Sequence, residues 1–549
     1  MKRTINTIAG ICKTLLTLAC MAVFAQLQAQ DTVKRKTIDI TSSFKPSLRP
    51  QQKMGFTASA VASDTNRPKL SYKIPAQNLA FGFYPAPLRP LAFQADSATV
   101  ATGPSIYLKA GFGNFTTPYF KGIAAFGDGK KSNGNVEAQY IGSKGKLEYQ
   151  DYEQYGVKGN LWLHMKQNNT LHLNGGFLSN GTYQYGFDPK TVAPPKDSLR
   201  IKYSDVFVGA DMGNIIAGDA GVSYQAKLNA HFFSDNKDGQ ETSVHFDVPI
   251  TKTISDNASV TLGIKGMLST FSGATSDFSN NLFMIPVNGK FKLQENMTLK
   301  AGLIPSWNNK QFKLLPDIDF EYLLNEKNLV LQAGFRGYFD EQNYRSLTVY
   351  NPWIQQPDSL TNTRNSEIFG AVKSNLNENF SFRVKLGVGS QFNVPLLVND
   401  QYDGRTFELI NEKKLSHILF SGELVYQKGD KISWTNLLQY NGYGDIEQAP
   451  KAYGLLPFEF RSSLQFLIRK DLRFKADMYA FNGAWYRTVE GDDKRGKSVI
   501  DLNAGVEFDV TQKLKLWLQF NNITNSEYQR WHQYQALGFQ AVGGIIFHM

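Results

Sequence analysis

The feature of this sequence that most restricts its fold is a period of two, sustained from about Ser105 to Met549. Phe380, Phe382, Val384, Leu386 and Val388 alternate with Ser381, Arg383, Lys385, Gly387 and Gly389. Leu514, Leu516, Leu518 and Phe520 alternate with Lys513, Lys515, Trp517, Gln519 and Asn521. Leu329, Leu331, Ala333 and Phe335 do the same against Val330, Gln332, Gly334 and Arg336. Successive side chains of an extended strand point to opposite faces, so each run has one apolar and one mostly polar face. Runs of about ten residues divided in this way suit a tilted strand with lipid on one side and a polar lumen on the other. A soluble sandwich calls for shorter strands, and a propeller for a repeat of about 40–50 residues, which the chain does not show. Mean hydropathy is only −0.33, as expected where lipid-facing and lumen-facing residues cancel in every window.

Turn lengths carry the same message. Short polar turns at 166–169, 294–296, 325–327, 377–378, 428–430, 469–471 and 511–513 alternate with longer loops at 186–200, 340–362, 394–413, 442–456, 484–497 and 524–537. Short periplasmic turns and long external loops are the pattern of an outer-membrane barrel. Counting strands between them predicts an all-β, transmembrane antiparallel barrel of about 22 strands, with both ends on the periplasmic side. Phe539, Ala541, Gly543, Ile545 and Phe547 share one face of the last strand, with aromatics near each end, where membrane interfaces favour them.

The N-terminus reads as a signal peptide over residues 1–29. Lys2 and Arg3 precede a mostly apolar stretch from Ile11 to Phe24, and a small-residue cleavage site falls near Ala29. The only cysteines, Cys12 and Cys20, lie inside that signal, so the mature chain is expected to have no disulfide and no thiolate chemistry. Residues 30–103 differ from everything after them. Pro46, Pro50, Pro68, Pro75, Pro85, Pro87 and Pro90 recur, and residues 31–100 hold ten Lys/Arg against four Asp, a net +6. The segment reads as a Pro-rich periplasmic arm or reduced plug, and residues 104–549 as the barrel. Nucleic acid is not an expected partner for an exported basic segment of this kind; outer-membrane lipid is the expected surround.

No catalytic constellation stands out, and the chain is not read as an enzyme. The seven His are scattered without metal-ligand spacing, and no metal or cofactor is expected. Gly111-Phe112-Gly113-Asn114 is glycine-rich but sits within a strand pattern, where a phosphate loop is not expected. Two groups of residues are candidates for recognition. Lys300, Arg383, Lys385, Arg473, Lys475, Lys513 and Lys515 face inward just after the short turns. They form either a basic periplasmic mouth favouring anionic solutes or a generally polar lumen balanced by neighbouring acids. Trp353, Trp485, Tyr528 and Trp531 fall in the long loops, where aromatics serve binding of an external ligand or the outer interface girdle.

The C-terminal residues add a family resemblance. Phe520-Asn521-Asn522-Ile523-Thr524-Asn525-Ser526-Glu527-Tyr528, then Trp531, then Gly543-Gly544-Ile545-Ile546-Phe547, resembles the last loop and last strand of TonB-dependent receptors. The resemblance in motif covers the last ~50 residues, and the expected strand number extends it over the barrel. It implies a receptor/transporter that passes a solute into the periplasm, with TonB or another periplasmic protein meeting residues 31–100 and a surface lipoprotein as a further partner. The segment nearest to a TonB box is Thr37, Ile38, Asp39, Ile40 and Thr41. The chain departs from the family before Ser105, where too few residues remain for a full plug domain. The alternative function is therefore a plug-less barrel serving as a structural subunit of an outer-membrane complex.

Overall fold

The computed structural model describes residues 105–549 apart from 167, 188–193, 215–216, 218–219 and 325–328. The predicted signal, the 30–103 segment with its Thr37–Thr41 stretch, and the turn at 325–327 lie outside the described residues. Strands run from Ser105–Gly113 to Gln540–His548 and pair antiparallel, each with its sequence neighbours. The first and last then pair with each other, from Tyr107 opposite His548 to Gly113 opposite Val542. Closure leaves the main sheet without an edge, which a sheet in lipid requires.

The strand number is 22. Asp277–Met284 and Val287–Gln294 both lie between Ala258–Ser272 and Met297–Asn308 in one continuous register. They are one strand interrupted at Pro286, which has no N–H to give to the ladder. The alternation read from the sequence sorts the faces correctly. Leu386, Val388, Leu516, Leu518 and Ile545 are exposed on the outside, as are Leu228, Phe232 and Leu262. In a soluble protein such a belt would drive aggregation; in a bilayer it is the anchor. Phe246, Phe283, Trp307 and Phe312 follow one another at ring separations of 6.1, 5.9 and 5.3 Å, as part of an aromatic girdle.

The seam where the barrel closes explains the glycine-rich stretches. Trp517, Gly544 and Gly111 face one another in register on three adjacent strands, on the lumen side. The Trp517 ring lies across the two glycines, and its Nε1–H donates to the carbonyl of Ala110 at 3.1 Å. A Cβ at Gly111 would occupy the ring's space. Gly111 is thus a packing position and not part of a phosphate loop. Tyr119, Ile141, Tyr152, Leu537, Val542 and Ile546 complete a buried cluster at this seam.

One predicted boundary is corrected. The stretch 394–413 was expected to be a long loop, but Phe380–Asn399 and Phe407–Lys428 keep pairing as far as Asn399 opposite Phe407. Both neighbouring strands stop pairing sooner, at Phe392 on one side and Ser416 on the other. The hairpin therefore stands alone beyond the rim by the six paired residues Val394–Asn399 of its first strand, roughly 20 Å at about 3.3 Å per residue. It persists because Val394, Leu396, Val398 and Leu415 bury against Ala449 and Tyr453 of the next loop, so its alternation serves a second core.

Candidate functional site: the outer mouth and the lumen wall

The long loops pack against one another around a buried aromatic core. Its members are Tyr185, Tyr203, Phe233, Phe271, Tyr344, Trp353, Phe407, Trp531 and Tyr534, with Leu347, Leu360 and Leu397 between them. The organising segment is 341–362, which joins Leu329–Asp340 to Thr363–Asn377. It begins with a short helix, Tyr344–Tyr350. Asn343 caps that helix by accepting from Ser346 N at 2.7 Å, while Ser346 Oγ accepts from Asn343 N at 3.2 Å. Glu241, on the lumen face of a strand, accepts from the backbone N–H groups of Tyr344 (2.5 Å) and Arg345 (3.3 Å). Each contact satisfies donors that a helix start leaves unpaired.

The two ends of the segment are clamped to the rim by amides. Asn280 Nδ2 donates to the carbonyl of Gln342 at 2.7 Å and to Asn362 Oδ1 at 3.3 Å, and Asn362 Nδ2 donates to Asn308 Oδ1 at 2.9 Å. Side-chain contacts to carboxylates brace the same foot. His245 meets Glu341 at 2.7 Å, and Asp205 lies 3.1 Å from His231 and 3.8 Å from Arg345. At the middle of the segment, Trp353 is 0% exposed and stacks on Tyr534 of the last loop, with centroids 3.6 Å apart and planes 17° apart.

These positions correct one expectation. Trp353 and Trp531, read from the sequence as meeting either an external ligand or the outer interface, are inside the lid core at 0% and 3% exposure. Tyr528 donates to Asp501 at 2.5 Å and packs on Phe481. Trp485 is half-buried, in a small hairpin formed by Trp485–Arg487 and Asp493–Arg495, packed against the Ala449 and Tyr453 cluster with Lys451 4.8 Å from its ring centre. Aromatic rings on adjacent loops gain more from burying one another than from facing water, and the loops are long enough to let them do so. Tyr344 and Glu241 were not singled out by sequence reading. The Asn343/Ser346 capping pair is the one local signal that marks this segment as structured.

The basic residues are mostly engaged on the wall. Lys300 pairs with Asp317 at 2.7 Å, Lys385 with Glu367 at 2.8 Å, Lys475 with Glu507 at 2.8 Å and Lys515 with Asp509 at 3.0 Å. Arg473 stands opposite Glu507 and Arg383 opposite Glu423 in register, while Lys513 sits in the turn before its strand. Arg336–Asp319 and Lys373–Glu321 extend the series. The lumen wall is thus a belt of alternating charge. Its most enclosed part is Glu507, which also lies 3.7 Å from Lys109, and Lys109 in turn lies 4.2 Å from the Trp517 ring centre. Strand spacing places side chains of adjacent strands about 4.5–5.5 Å apart, within reach of such pairs.

A barrel of 22 strands, closed first to last, with short turns at one end and packed loops at the other, has close counterparts among solved structures. The FrpB iron transporter from Neisseria meningitidis matches with a TM-score of 0.64 at 10% identity, covering 82% of each chain. The siderophore receptor PirA from Acinetobacter baumannii matches at 0.61 and 10% identity, covering 81% of this chain and 80% of that one. The fold is that of a TonB-dependent receptor barrel. A variant of the ferric enterobactin receptor PfeA from Pseudomonas aeruginosa agrees, with a TM-score of 0.59 and 10% identity over 81% of this chain and 80% of that one. No family model matches the chain, and no curated protein sequence matches it either. Identity this low carries the fold alone; what these proteins transport is a property of theirs.

Proposed function

We propose that this receptor-type barrel is an outer-membrane transporter that accepts a solute at the loop end and passes it to the periplasm. The observation that supports this most is the match in fold, over about four-fifths of both chains, to an iron transporter, a siderophore receptor and a ferric enterobactin receptor. On this reading TonB is the periplasmic partner, engaged through residues 37–41, and Arg383 and Lys513 add positive potential at the periplasmic mouth. Trp485 and its neighbour Lys451 offer an aromatic and cationic contact on the outer surface, for the solute or for a surface lipoprotein. We assign it no enzymatic step.

A specific feature favours the second reading, a structural subunit of an outer-membrane complex. The lid core is as buried as a protein interior, with Trp353 and Tyr534 both at 0% exposure, which suits a permanent cap better than a passage. One experiment separates the two. Cells lacking their other siderophore receptors and expressing this chain are given a radiolabelled ferric siderophore, with and without a protonophore. The transporter reading expects accumulation that stops with the protonophore and with deletion of 37–41. No accumulation, together with recovery of a fixed set of other membrane proteins in detergent, would replace it with the subunit reading.

A further inference from the structure

The lid contacts cross the barrel. Counted around the ring, Asn169–Tyr183 and Arg200–Asn214 are the fifth and sixth strands and Phe407–Lys428 is the sixteenth, so they stand on opposite walls of a ring of 22. The segment 341–362 reaches both. Trp353 Nε1 donates to the carbonyl of Tyr183 at 3.0 Å, and Tyr203 Oη donates to the carbonyl of Pro352 at 2.8 Å. Two residues further on, Phe407 N donates to the carbonyl of Trp353 at 3.1 Å and Gln355 N donates to the carbonyl of Phe407 at 2.9 Å. The standing hairpin of Phe380–Asn399 and Phe407–Lys428 spans the remaining distance, because it rises roughly 20 Å clear of its neighbours. The last loop completes the crossing. Tyr534 Oη donates to the carbonyl of Arg405 at the hairpin tip, and Tyr185 Oη donates to the carbonyl of Gln535 at 3.0 Å.

We infer that 341–362 is an external plug, with the Trp353–Tyr534 stack as its keystone, sealing the barrel from the loop side. Three properties set it apart from a set of surface loops. It is tied down at both ends, where Asn280 holds the Gln342 carbonyl, Glu241 holds the Tyr344 N–H and Asn308 accepts from Asn362. Its apolar residues are buried against inward-facing Tyr203, Phe233 and Phe271 of the wall. Its centre is held from opposite sides, so opening it requires breaking contacts to both walls together. A wide barrel conducts unless something fills it, and this segment is positioned to do so whether the chain transports or scaffolds.

The test uses the full-length chain in intact cells. The mature region contains no cysteine, because Cys12 and Cys20 precede residue 30. Ser243 is 0% exposed on the wall beneath the lid, next but one to Glu241, and Tyr402 is 87% exposed at the hairpin tip. Ser243→Cys and Tyr402→Cys are each labelled from outside with a membrane-impermeant maleimide. Tyr402→Cys should react at once in every background. Ser243→Cys should react at least about tenfold more slowly, the ratio expected when access needs a local opening. Adding Trp353→Ala should raise its rate about tenfold or more, and Glu241→Gln, a gentler change, should raise it less. Equal labelling of the two cysteines beneath an intact lid overturns the inference. So does a Ser243→Cys rate unmoved by either lid variant while gel mobility shows the barrel folded.

Discussion

The two ends of this barrel solve the same connection problem in opposite ways. At the short-turn end, neighbouring strands are joined by a few polar residues. Asp128 typifies them: its carboxylate accepts from the backbone N–H groups of Lys130, Lys131 and Ser132, and those bonds hold its pKa down at about 2. At the other end several connections are longer, up to the 22 residues of 341–362, and they bring Tyr, Trp and Phe together into a core. Between the ends the wall is held by ion pairs and by glycines that let Trp517 lie flat. A turn of a few residues has no side chain to bury and relies on its own hydrogen bonds. A loop of twenty can bury several, so it behaves as a small domain with its own stability. Lid and wall should consequently fail independently, and each of the following changes probes that separation.

The largest effects should come from the two most enclosed groups. Trp353→Ala removes an indole at 0% exposure and should weaken the lid by about 3–5 kcal/mol. Proteases added outside should then cut within 341–362, while the heat-modifiable gel mobility of the barrel stays at the native temperature. Glu507→Ala should do the reverse. It leaves Lys109 and Lys475, at 4% and 2% exposure, without their shared carboxylate, a loss of about 3–5 kcal/mol. The temperature of barrel unfolding should fall with no new cleavage in the lid. A drop in both readouts for either variant would show that lid and wall form one cooperative unit.

A smaller effect is expected at the seam. Gly544→Val puts a branched side chain where Gly111 and the Ala110 carbonyl approach, forcing the first and last strands apart. Overpacking of this kind costs about 1–3 kcal/mol, read again as a lower barrel unfolding temperature. Native thermal stability in this variant would mean the seam relaxes more freely than its geometry implies.

The smallest effect concerns pH and belongs to the lid alone. His532 stacks on Tyr486 at 3.8 Å, and burial, with help from the charge of Lys494, lowers its pKa to about 4. The docked loop therefore prefers neutral His532. Above the ordinary histidine value of 6.5 both docked and undocked forms are neutral, and docking is at full strength. As pH falls from 6.5 toward 4, the undocked loop takes up a proton that the docked one refuses, so docking weakens. Hydrogen exchange across 484–497 and 524–537 should be faster at pH 5 than at pH 7, beyond the intrinsic pH dependence of exchange. His532→Phe should abolish that excess, and an equal excess in the variant would remove His532 as its cause.

The alternation alone carried much of this. Leu386, Leu516 and Ile545 had to face lipid once their neighbours were read as polar, because a period of two leaves no other assignment. Turn lengths then supplied the strand number and the end at which the long loops lie. Arg383, Lys385 and Lys475 were legible as inward-facing for the same reason, but their partners were not. Glu367 precedes Lys385 by 18 residues and Glu507 follows Lys475 by 32, and only strand register brings them together. The lid was beyond sequence reading for a related physical cause. Tyr185, Trp353 and Tyr534 come from three separate connections and Phe407 from the standing hairpin, and loops carry no periodicity from which a buried face can be inferred. An aromatic residue in a loop has the same local sequence whether it meets lipid, ligand or another ring. Tertiary structure alone decided that Trp353 stacks on Tyr534, because that choice depends on which loops overhang the same mouth. The sequence by itself determined a closed membrane barrel; the closing of its outer end came from long-range burial that no local pattern records.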